Sequence, residues 1–260
     1  MNVMVFDIET VPDTDTGRRL YGLGGLSDED VARAMYAKRR EQTGDSEFLP
    51  IHLHRVVAIS IVLRGGGDEL KVWSLGTLES DEKDLVSRFF DGIDRFTPTL
   101  VSWNGAGFDL PVLHYRALLH GVSAARYWET GDDDREFRYN NYLSRYHARH
   151  TDLMDVLAGY QPRCSAPLDQ VATLLGYPGK MGMSGAAVWD EYLAGNLAGI
   201  RDYCETDVLN TYLIYLRWQR VRGRLTADAL RAEFDRVRGT LSSQNKPHLT
   251  SFLDAWPETA

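Results

Sequence analysis

An apolar segment near the N-terminus ends in two closely spaced acidic residues. Residues 2–7 have the apolar pattern of a buried β-strand, and Asp7 and Glu9 stand two positions apart near its end. Because side chains alternate between the two faces of a strand, both carboxylates point the same way. Two such carboxylates repel each other and resist burial unless a cation offsets their charge. The pair therefore predicts a divalent-metal site with oxygen ligands; the alternative is a strand that runs into a solvated acidic loop.

The order of the other elements predicts an α/β fold. Residues 55–63 and 69–75 read as a hairpin around the turn Gly65-Gly66-Gly67-Asp68, and 99–103 and 148–153 as two further strands. Helices are predicted between the strands and throughout the C-terminal third: 27–42, from Ser80 on, 107–120, 168–175, 198–221, and from Thr226 on. We therefore expect one domain over residues 1–260, built on a mixed five-stranded sheet flanked by helices.

Composition limits the classes of function that fit. The formal net charge is −8, so a long phosphate-binding surface is not expected, and any nucleic acid should bind through a local positive patch. The sequence contains no apolar run of membrane-spanning length and no signal-peptide pattern. The two cysteines, Cys164 and Cys204, form no close-spaced metal motif and are read as small core residues. A cytoplasmic, non-membrane protein is expected.

Two more acidic motifs occur later in the chain. Asp109 follows a short strand and a glycine-containing turn, and is expected near the start of a helix, where the helix dipole favours a carboxylate. Tyr203 and Asp207 are four residues apart and lie on one face of a predicted helix. Each motif has a plain alternative: Asp109 can simply cap its helix, and the second helix can simply have a solvated acidic face.

Taken together, the three motifs resemble a known enzyme family. Asp7-Ile8-Glu9, Asn104-x-x-x-Phe108-Asp109 and Tyr203-x-x-x-Asp207 are similar to the three exonuclease motifs of DEDDy 3′–5′ exonucleases. The chain most resembles stand-alone proteins related to the proofreading exonuclease domain of family B DNA polymerases. The resemblance extends over nearly the whole chain and includes His150-Thr-Asp152-Leu-Met-Asp155, the helix at Leu168 and the Gly179-Lys180 loop. It implies a ribonuclease H-like fold, with no polymerase domain expected.

The resemblance also implies a chemistry and a role for each motif residue. Phosphodiester hydrolysis by two divalent ions, Mg²⁺ or Mn²⁺ roughly 4 Å apart, stabilises charge on both the attacking and leaving oxygens. By resemblance, Asp7 would bridge both ions, Glu9 and Asp207 would complete the site that activates water, and Asp109 would hold the second ion, through water. Tyr203 would orient the nucleophile.

Contacts to a nucleic-acid strand are predicted in three places. Residues 135–150 contain four arginines, one acidic residue and four interleaved aromatics, a composition typical of single-strand binding; the alternative is a charged, solvated surface excursion. Lys180, in its glycine loop, is a candidate phosphate contact, although loop lysines are commonly just solvated. The candidate contact residues are Asn104, Phe108, Arg138, Arg145, Tyr146 and Lys180.

Three functions remain open. The first is a 3′–5′ exonuclease on single-stranded DNA, and the second is the same chemistry on RNA, which the sequence does not separate. The third is a nucleic-acid-binding subunit without catalysis, which the presence of all four carboxylates and the tyrosine disfavours. A replication or repair protein is a possible partner by kinship. Residues 10–54 have no assigned counterpart, and either shape the substrate entrance or cover the sheet.

Overall fold

The protein is built on a mixed five-stranded sheet. The computed structural model describes residues 2–257. The sheet has the order β3-β2-β1-β4-β5; β2 is antiparallel to β1 and β3, and β4 and β5 run parallel to β1. The strands are β1 Val3–Pro12, β2 His54–Arg64, β3 Leu70–Ser74, β4 Thr99–Ser102 and β5 His150–Asp152. The predicted α/β fold with a mixed five-stranded sheet is confirmed.

Helices cover the sheet and form most of the C-terminal third, as expected. Their bounds are α1 Thr14–Tyr21, α2 Asp28–Thr43, α3 Glu82–Phe96, α4 Asp109–His120, α5 Ala125–Trp128, α6 Leu153–Leu157, α7 Leu168–Leu174, α8 Val188–Leu193, α9 Leu197–Val221, α10 Ala227–Gln244 and α11 Pro247–Ala255. Ser27 and Thr226 cap α2 and α10 by accepting hydrogen bonds from backbone N–H groups three residues ahead.

Two boundaries differ from the sequence expectation. β1 does not end at its acidic pair but continues to Pro12, because β2 pairs with it along its whole length. α4 begins at Asp109 instead of residue 107, since residues 105–108 form a turn held by hydrogen bonds to the Asn104 carbonyl oxygen.

The two faces of the sheet bury different layers. On one face, Phe6 and Ile8 pack against α3 and α4. On the other, Val5 packs with side chains of α9 and α10. This alternation along β1 puts Asp7 and Glu9 on the α9 face. Within residues 2–257, no helix is long and apolar enough to cross a membrane. The single-domain organisation stays a prediction.

Residues 10–54 pack around a small apolar cluster of their own. Val31 and Met35 of α2 pack with Leu53, and α1 approaches α2 so closely at Gly17 that an added Cβ would lie 2.4 Å from the Met35 sulfur. The exposed ring of Phe48 lies against Phe108, at 5.5 Å between centroids. This packing accounts for a covering role; a role at the substrate entrance stays a prediction.

Candidate active site

The acidic pair of β1 lies where the sheet opens. β1 pairs with β4 only from Val3 to Val5, so Asp7 and Glu9 extend beyond the point where β4 leaves the sheet. On their other side they remain paired with β2, at Ser60 and Ala58. Rigid pairing on one side and a free edge on the other present both carboxylates to the space beyond the carboxyl end of β4. In open α/β sheets, ligands bind at such places.

Asp109 fills the gap that β4 leaves. Its Oδ1 accepts a hydrogen bond of 3.1 Å from the Ile8 backbone N–H, between the two acidic residues of β1. Asp109 is the first residue of α4 and is only 4% exposed. The helix start is therefore joined directly to β1, and the second acidic motif lies beside the first.

The turn that delivers Asp109 is held by a carboxylate of β5. Asp152 accepts hydrogen bonds of 2.9 Å from the backbone N–H groups of both Asn104 and Ala106. Asn104 adopts a φ of 63°, the left-handed region, which asparagine tolerates better than most residues. Asp152 thus fixes the path of the chain from β4 into α4.

Helix α9 completes the site from above the sheet. Cys204 is fully buried, and its thiol donates to the Asp7 backbone carbonyl (3.4 Å) and to Asp7 Oδ2 (3.5 Å). One turn on, Asp207 lies on the same side as Tyr203. The Tyr203 hydroxyl donates to the Asp207 carboxylate, which lowers the pKa of Asp207 against the larger effect of burial. The structure therefore brings together Asp7, Glu9, Asp109, Tyr203 and Asp207, the five residues that the sequence predicted as one site.

Burial raises the pKa values of the four carboxyls, and neighbouring carboxylates add to the effect. The pKa of Asp7 is well above its usual value because of burial, then the charges of Asp109, Glu9 and Asp207. Burial raises the pKa of Glu9 in the same way, with Asp207 and Asp109 adding to it. Burial raises the pKa of Asp109 to about 7 and of Asp207 to about 6. The charges of Asp152 and Asp169 add to the pKa values of Asp109 and Asp207, so repulsion within the site acts on Asp7 and Glu9.

The donor set fits divalent cations. Glu9 is only 8% exposed, and every influence on its pKa raises it, so no donor or cation within residues 2–257 stabilises its charge. Carboxylate oxygens in this arrangement are the ligands that hard divalent ions prefer. A cation would offset the charge that the protein leaves uncompensated.

Lys180 places a positive charge near the site. This charge lowers the pKa of Asp207 against the effect of burial. The neighbouring Gly179 is anchored to α9 by Asn210, which is fully buried. The Asn210 amide accepts from the Gly179 N–H (3.1 Å) and donates to the Gly179 carbonyl oxygen (2.9 Å). This two-point attachment sets where the exposed Lys180 side chain begins.

The other predicted strand contacts are unequally placed. Asn104 is exposed at the turn beside the site. Phe108 is partly buried, with its ring perpendicular to that of His54 at 5.1 Å between centroids. Both remain close to Asp109 along the chain, and their contact with nucleic acid stays a prediction.

The basic and aromatic segment 135–150 approaches the sheet from the opposite end. It leads into the amino end of β5, and Tyr142 donates to the Pro98 carbonyl oxygen just before β4. Phe137 and Tyr142 are buried core residues, so Tyr139 and Tyr146 are the exposed rings left for base stacking. Arg145 pairs with Asp155 at 2.7 Å, and Arg138 is exposed. Strand binding by Arg138, Arg145 and Tyr146 stays a prediction.

Sequence reasoning did not single out three residues that shape the site. Asp152 was noted only within a matching stretch, Asn210 was not considered, and Cys204 was read as a small core residue. Cys204 is indeed buried, but its sulfur lies against Asp7. Its position directly after Tyr203 was the one available signal.

Comparisons with known proteins bear on this site. A sequence model for predicted 3′–5′ exonucleases related to the exonuclease domain of PolB matches residues 46–256. Asp109, Tyr203 and Asp207 lie within the match, and Asp7 and Glu9 precede it. No curated protein sequence matches the chain.

Solved structures also match. One is the family B DNA polymerase from the hyperthermophilic archaeon Pyrobaculum calidifontis, at 18% sequence identity and a TM-score of 0.47. The match covers 93% of this chain and 28% of the polymerase chain. Because the sequence model covers most of the chain, the protein belongs to the family of predicted 3′–5′ exonucleases related to the exonuclease domain of PolB.

Proposed function

We propose that this protein is a metal-dependent 3′–5′ exonuclease that hydrolyses single-stranded DNA. The observation that carries the proposal is the convergence of four carboxylates from three elements, β1, α4 and α9, with no basic residue among residues 2–257 neutralising Asp7 or Glu9. Family membership supplies the reaction class.

The four carboxylates would hold two divalent cations, Mg²⁺ or Mn²⁺. By the family resemblance, Asp7 would serve both ions, Glu9 and Asp207 would hold one of them, and Asp109 would hold the other. The chemistry that such ions supply when bound is charge stabilisation on the phosphoryl oxygens and a lowered pKa of water. The contribution of the protein is to hold these ligands on a strand and two helix positions that are fixed by packing.

Tyr203 would position the attacking water. Burial, followed by the Asp207 and Glu9 charges, raises the pKa of its phenol well above its usual value, so the hydroxyl keeps its proton at neutral pH. A protonated phenol can donate to one oxygen and accept from another. Held against Asp207, it can align a water toward the scissile phosphorus without itself taking the proton.

The substrate strand would run past Lys180 and the turn at Asn104. Lys180 offers a positive charge next to Asp207, where a phosphate would otherwise meet only acidic groups. A replication or repair protein as partner, and a cytoplasmic location, stay predictions by kinship.

The test is degradation of 5′-labelled single strands, DNA and RNA in parallel, with Mg²⁺ or Mn²⁺ and with chelator. We expect a ladder that shortens from the 3′ end of DNA, requires metal and is absent with Asp7→Ala. Faster digestion of RNA than of DNA would make RNA, instead of single-stranded DNA, the substrate of the enzyme. No ladder on either polymer, from folded protein that still binds strands, would overturn the proposal in favour of a non-catalytic subunit.

A further inference from the structure

A thiol belongs to the innermost part of the carboxylate cluster. One ligand atom each of Asp7, Glu9 and Cys204 lie within 4.8 Å of one another. Cys204 has no exposed surface, and its sulfur lies 3.5 Å from Asp7 Oδ2. In a tetrahedral zinc site, donors about 2.0–2.3 Å from the ion are roughly 3.5 Å apart, so movements of about 1 Å would suffice to close the three around one ion.

Glu9, the carboxylate beside this thiol, has no stabilising partner within residues 2–257. Glu9 is more than nine-tenths buried, yet no hydrogen-bond donor or cation in the described part of the chain lowers its pKa. For Asp7, the hydrogen bond from Cys204 is the one influence that lowers its pKa. A bound cation would stabilise an unpartnered, buried carboxylate that lies beside a buried thiol.

The chemistry of these donors differs from that of an all-oxygen site. Mg²⁺ prefers oxygen ligands and gains little from sulfur, whereas zinc and cobalt bind thiolates readily. We propose that Asp7, Glu9 and Cys204 form a three-donor site for a thiophilic divalent cation, Zn²⁺ being the representative ion. Binding exchanges the thiol proton for the metal: the sulfur–hydrogen bond breaks, the proton passes to solvent, and the sulfur electron pair binds the ion.

This site has a consequence for catalysis that rests on the proposed function. Two of its donors, Asp7 and Glu9, are also the proposed ligands of Mg²⁺ or Mn²⁺, so the two occupancies exclude each other. Zn²⁺ therefore acts as a tight competitor that stops cleavage, and removal of zinc restores it. Cys204 thereby determines which ions inhibit the enzyme, although it takes no part in phosphodiester hydrolysis.

The test uses cobalt as a spectroscopic probe of the full-length protein. Co²⁺ is titrated into wild-type protein, Cys204→Ser and Cys164→Ser, and thiolate-to-cobalt charge transfer is followed in the near ultraviolet. Cys164→Ser is the matched control, since Cys164 is the other cysteine and is exposed. We expect the band in the wild type and in Cys164→Ser, its absence in Cys204→Ser, and its removal by Zn²⁺ in stoichiometric amount.

Zinc affinity measured by calorimetry gives a second reading. Loss of an outer-shell partner typically lowers metal affinity about 10–100-fold, so loss of the sulfur donor should lower it at least as much. If Cys204→Ser fails to fold, zinc X-ray absorption on wild-type protein and Cys164→Ser decides, because a sulfur neighbour at about 2.3 Å in both can only be Cys204. No cobalt–thiolate band in wild-type protein, or a band lost only in Cys164→Ser, overturns the inference.

The outcome is separable from that of the proposed function. A cobalt–thiolate band without Mg²⁺- or Mn²⁺-dependent cleavage would uphold the metal site and refute the exonuclease. Cleavage without the band would do the reverse.

Discussion

Two groups of buried carboxylates lie along β1 and its neighbours, and they differ in counter-charge. In the site group, Glu9 is 8% exposed and has no cationic partner among the described residues. In the second group, the side chain of Glu82, also 8% exposed, pairs with Arg116, whose Nε lies 2.7 Å from Glu82 Oε1. Arg116 also binds Asp13 at 2.5 Å, and His120 contacts Glu82 at 2.8 Å.

The contrast separates carboxylates whose charge the fold stabilises from carboxylates whose charge it leaves unpaired. Net hydrogen bonding lowers the pKa of Asp13 against the effect of burial, so its charged form is stabilised by folding. The same holds for Glu205, whose pKa is lowered to about 2 by hydrogen bonds from His248 and Lys246 despite burial. The site carboxyls have raised pKa values, so their charged forms cost stability unless a cation is bound, which is characteristic of functional positions.

The largest effect should come from Glu9→Gln. The change removes one charge from the proposed metal ligands, so cleavage should fall by about 10²–10³-fold or more, comparable to loss of a main electrostatic stabiliser. The metal-free protein should be as stable as wild type or more so, because an uncompensated buried charge disappears. Rates on labelled strands and urea unfolding measure the two effects.

Glu82→Gln is the matched control for that variant. It changes the same residue type, also with a largely buried side chain, so folded protein should keep its cleavage rate while losing stability. Equal losses of cleavage in both variants would contradict the division between the two groups.

Arg116→Met should produce the largest loss of stability. It leaves Glu82 and Asp13 buried without their counter-charge, and removal of one partner from a buried pair costs about 3–5 kcal/mol. Guanidinium unfolding monitored by fluorescence gives the change. A loss below that of an exposed pair, such as Arg33 with Glu29, would show that Arg116 is not needed to hold these carboxylates.

The raised pKa of Asp109 should make the metal-free protein less stable as pH rises. With chelator present, Asp109, with its pKa raised to about 7, binds a proton more readily in the folded than in the unfolded protein. Its contribution to stability is therefore lost as pH rises from about 4 to about 7, at about 1.4 kcal/mol per pKa unit.

Buried His114 and His150, each with a pKa lowered to about 4 by burial, act in the opposite direction over part of this range. The measurement therefore compares wild type with Asp109→Asn, in which the histidine contributions cancel. The free-energy difference between the two proteins should shift against wild type as pH rises, and Mg²⁺ should reverse the shift at neutral pH. Parallel profiles for the two proteins would refute the assigned pKa of Asp109.

The smallest effect should come from Lys180→Ala. Lys180 is exposed, and a single exposed charge contributes modestly, so we expect KM for single strands to rise about three- to tenfold. Because its charge lowers the pKa of Asp207, the acid limb of the pH–rate profile should also move to higher pH. Lys71→Ala, a change of another exposed lysine, should alter neither. A KM that is unchanged in both variants would show that Lys180 does not contact the substrate strand.

Local patterns made much of this protein predictable. The strand alternation that sets Asp7 and Glu9 on one face, the helical spacing of Tyr203 and Asp207, and the caps at Ser27 and Thr226 are short-range properties. Their consequences, a mixed sheet and a helical C-terminal third, follow from the order of elements. The approximate ends of the predicted strands and helices also came from the sequence, apart from the end of β1 and the start of α4, whereas α1, α5, α6, α8 and α11 were not predicted.

Only the tertiary structure decided what surrounds those residues. β1 continues to Pro12 because it pairs with β2, and the sequence pattern of β1 alone does not reveal this pairing. Phe137 and Tyr142 proved to be core residues because long-range packing, and not composition, decides which aromatics are buried.

The same limit applied to counter-charges. Whether a carboxylate is paired depends on residues about a hundred positions away, as with Arg116 and Asp13, and such contacts leave no local trace. The sequence by itself determined which side chains could form the site. The fold decided that Glu9 has no cationic partner among the residues described, that Asp152 holds the turn before Asp109, and that a thiol lies against Asp7, because each depends on segments that meet only in the folded chain.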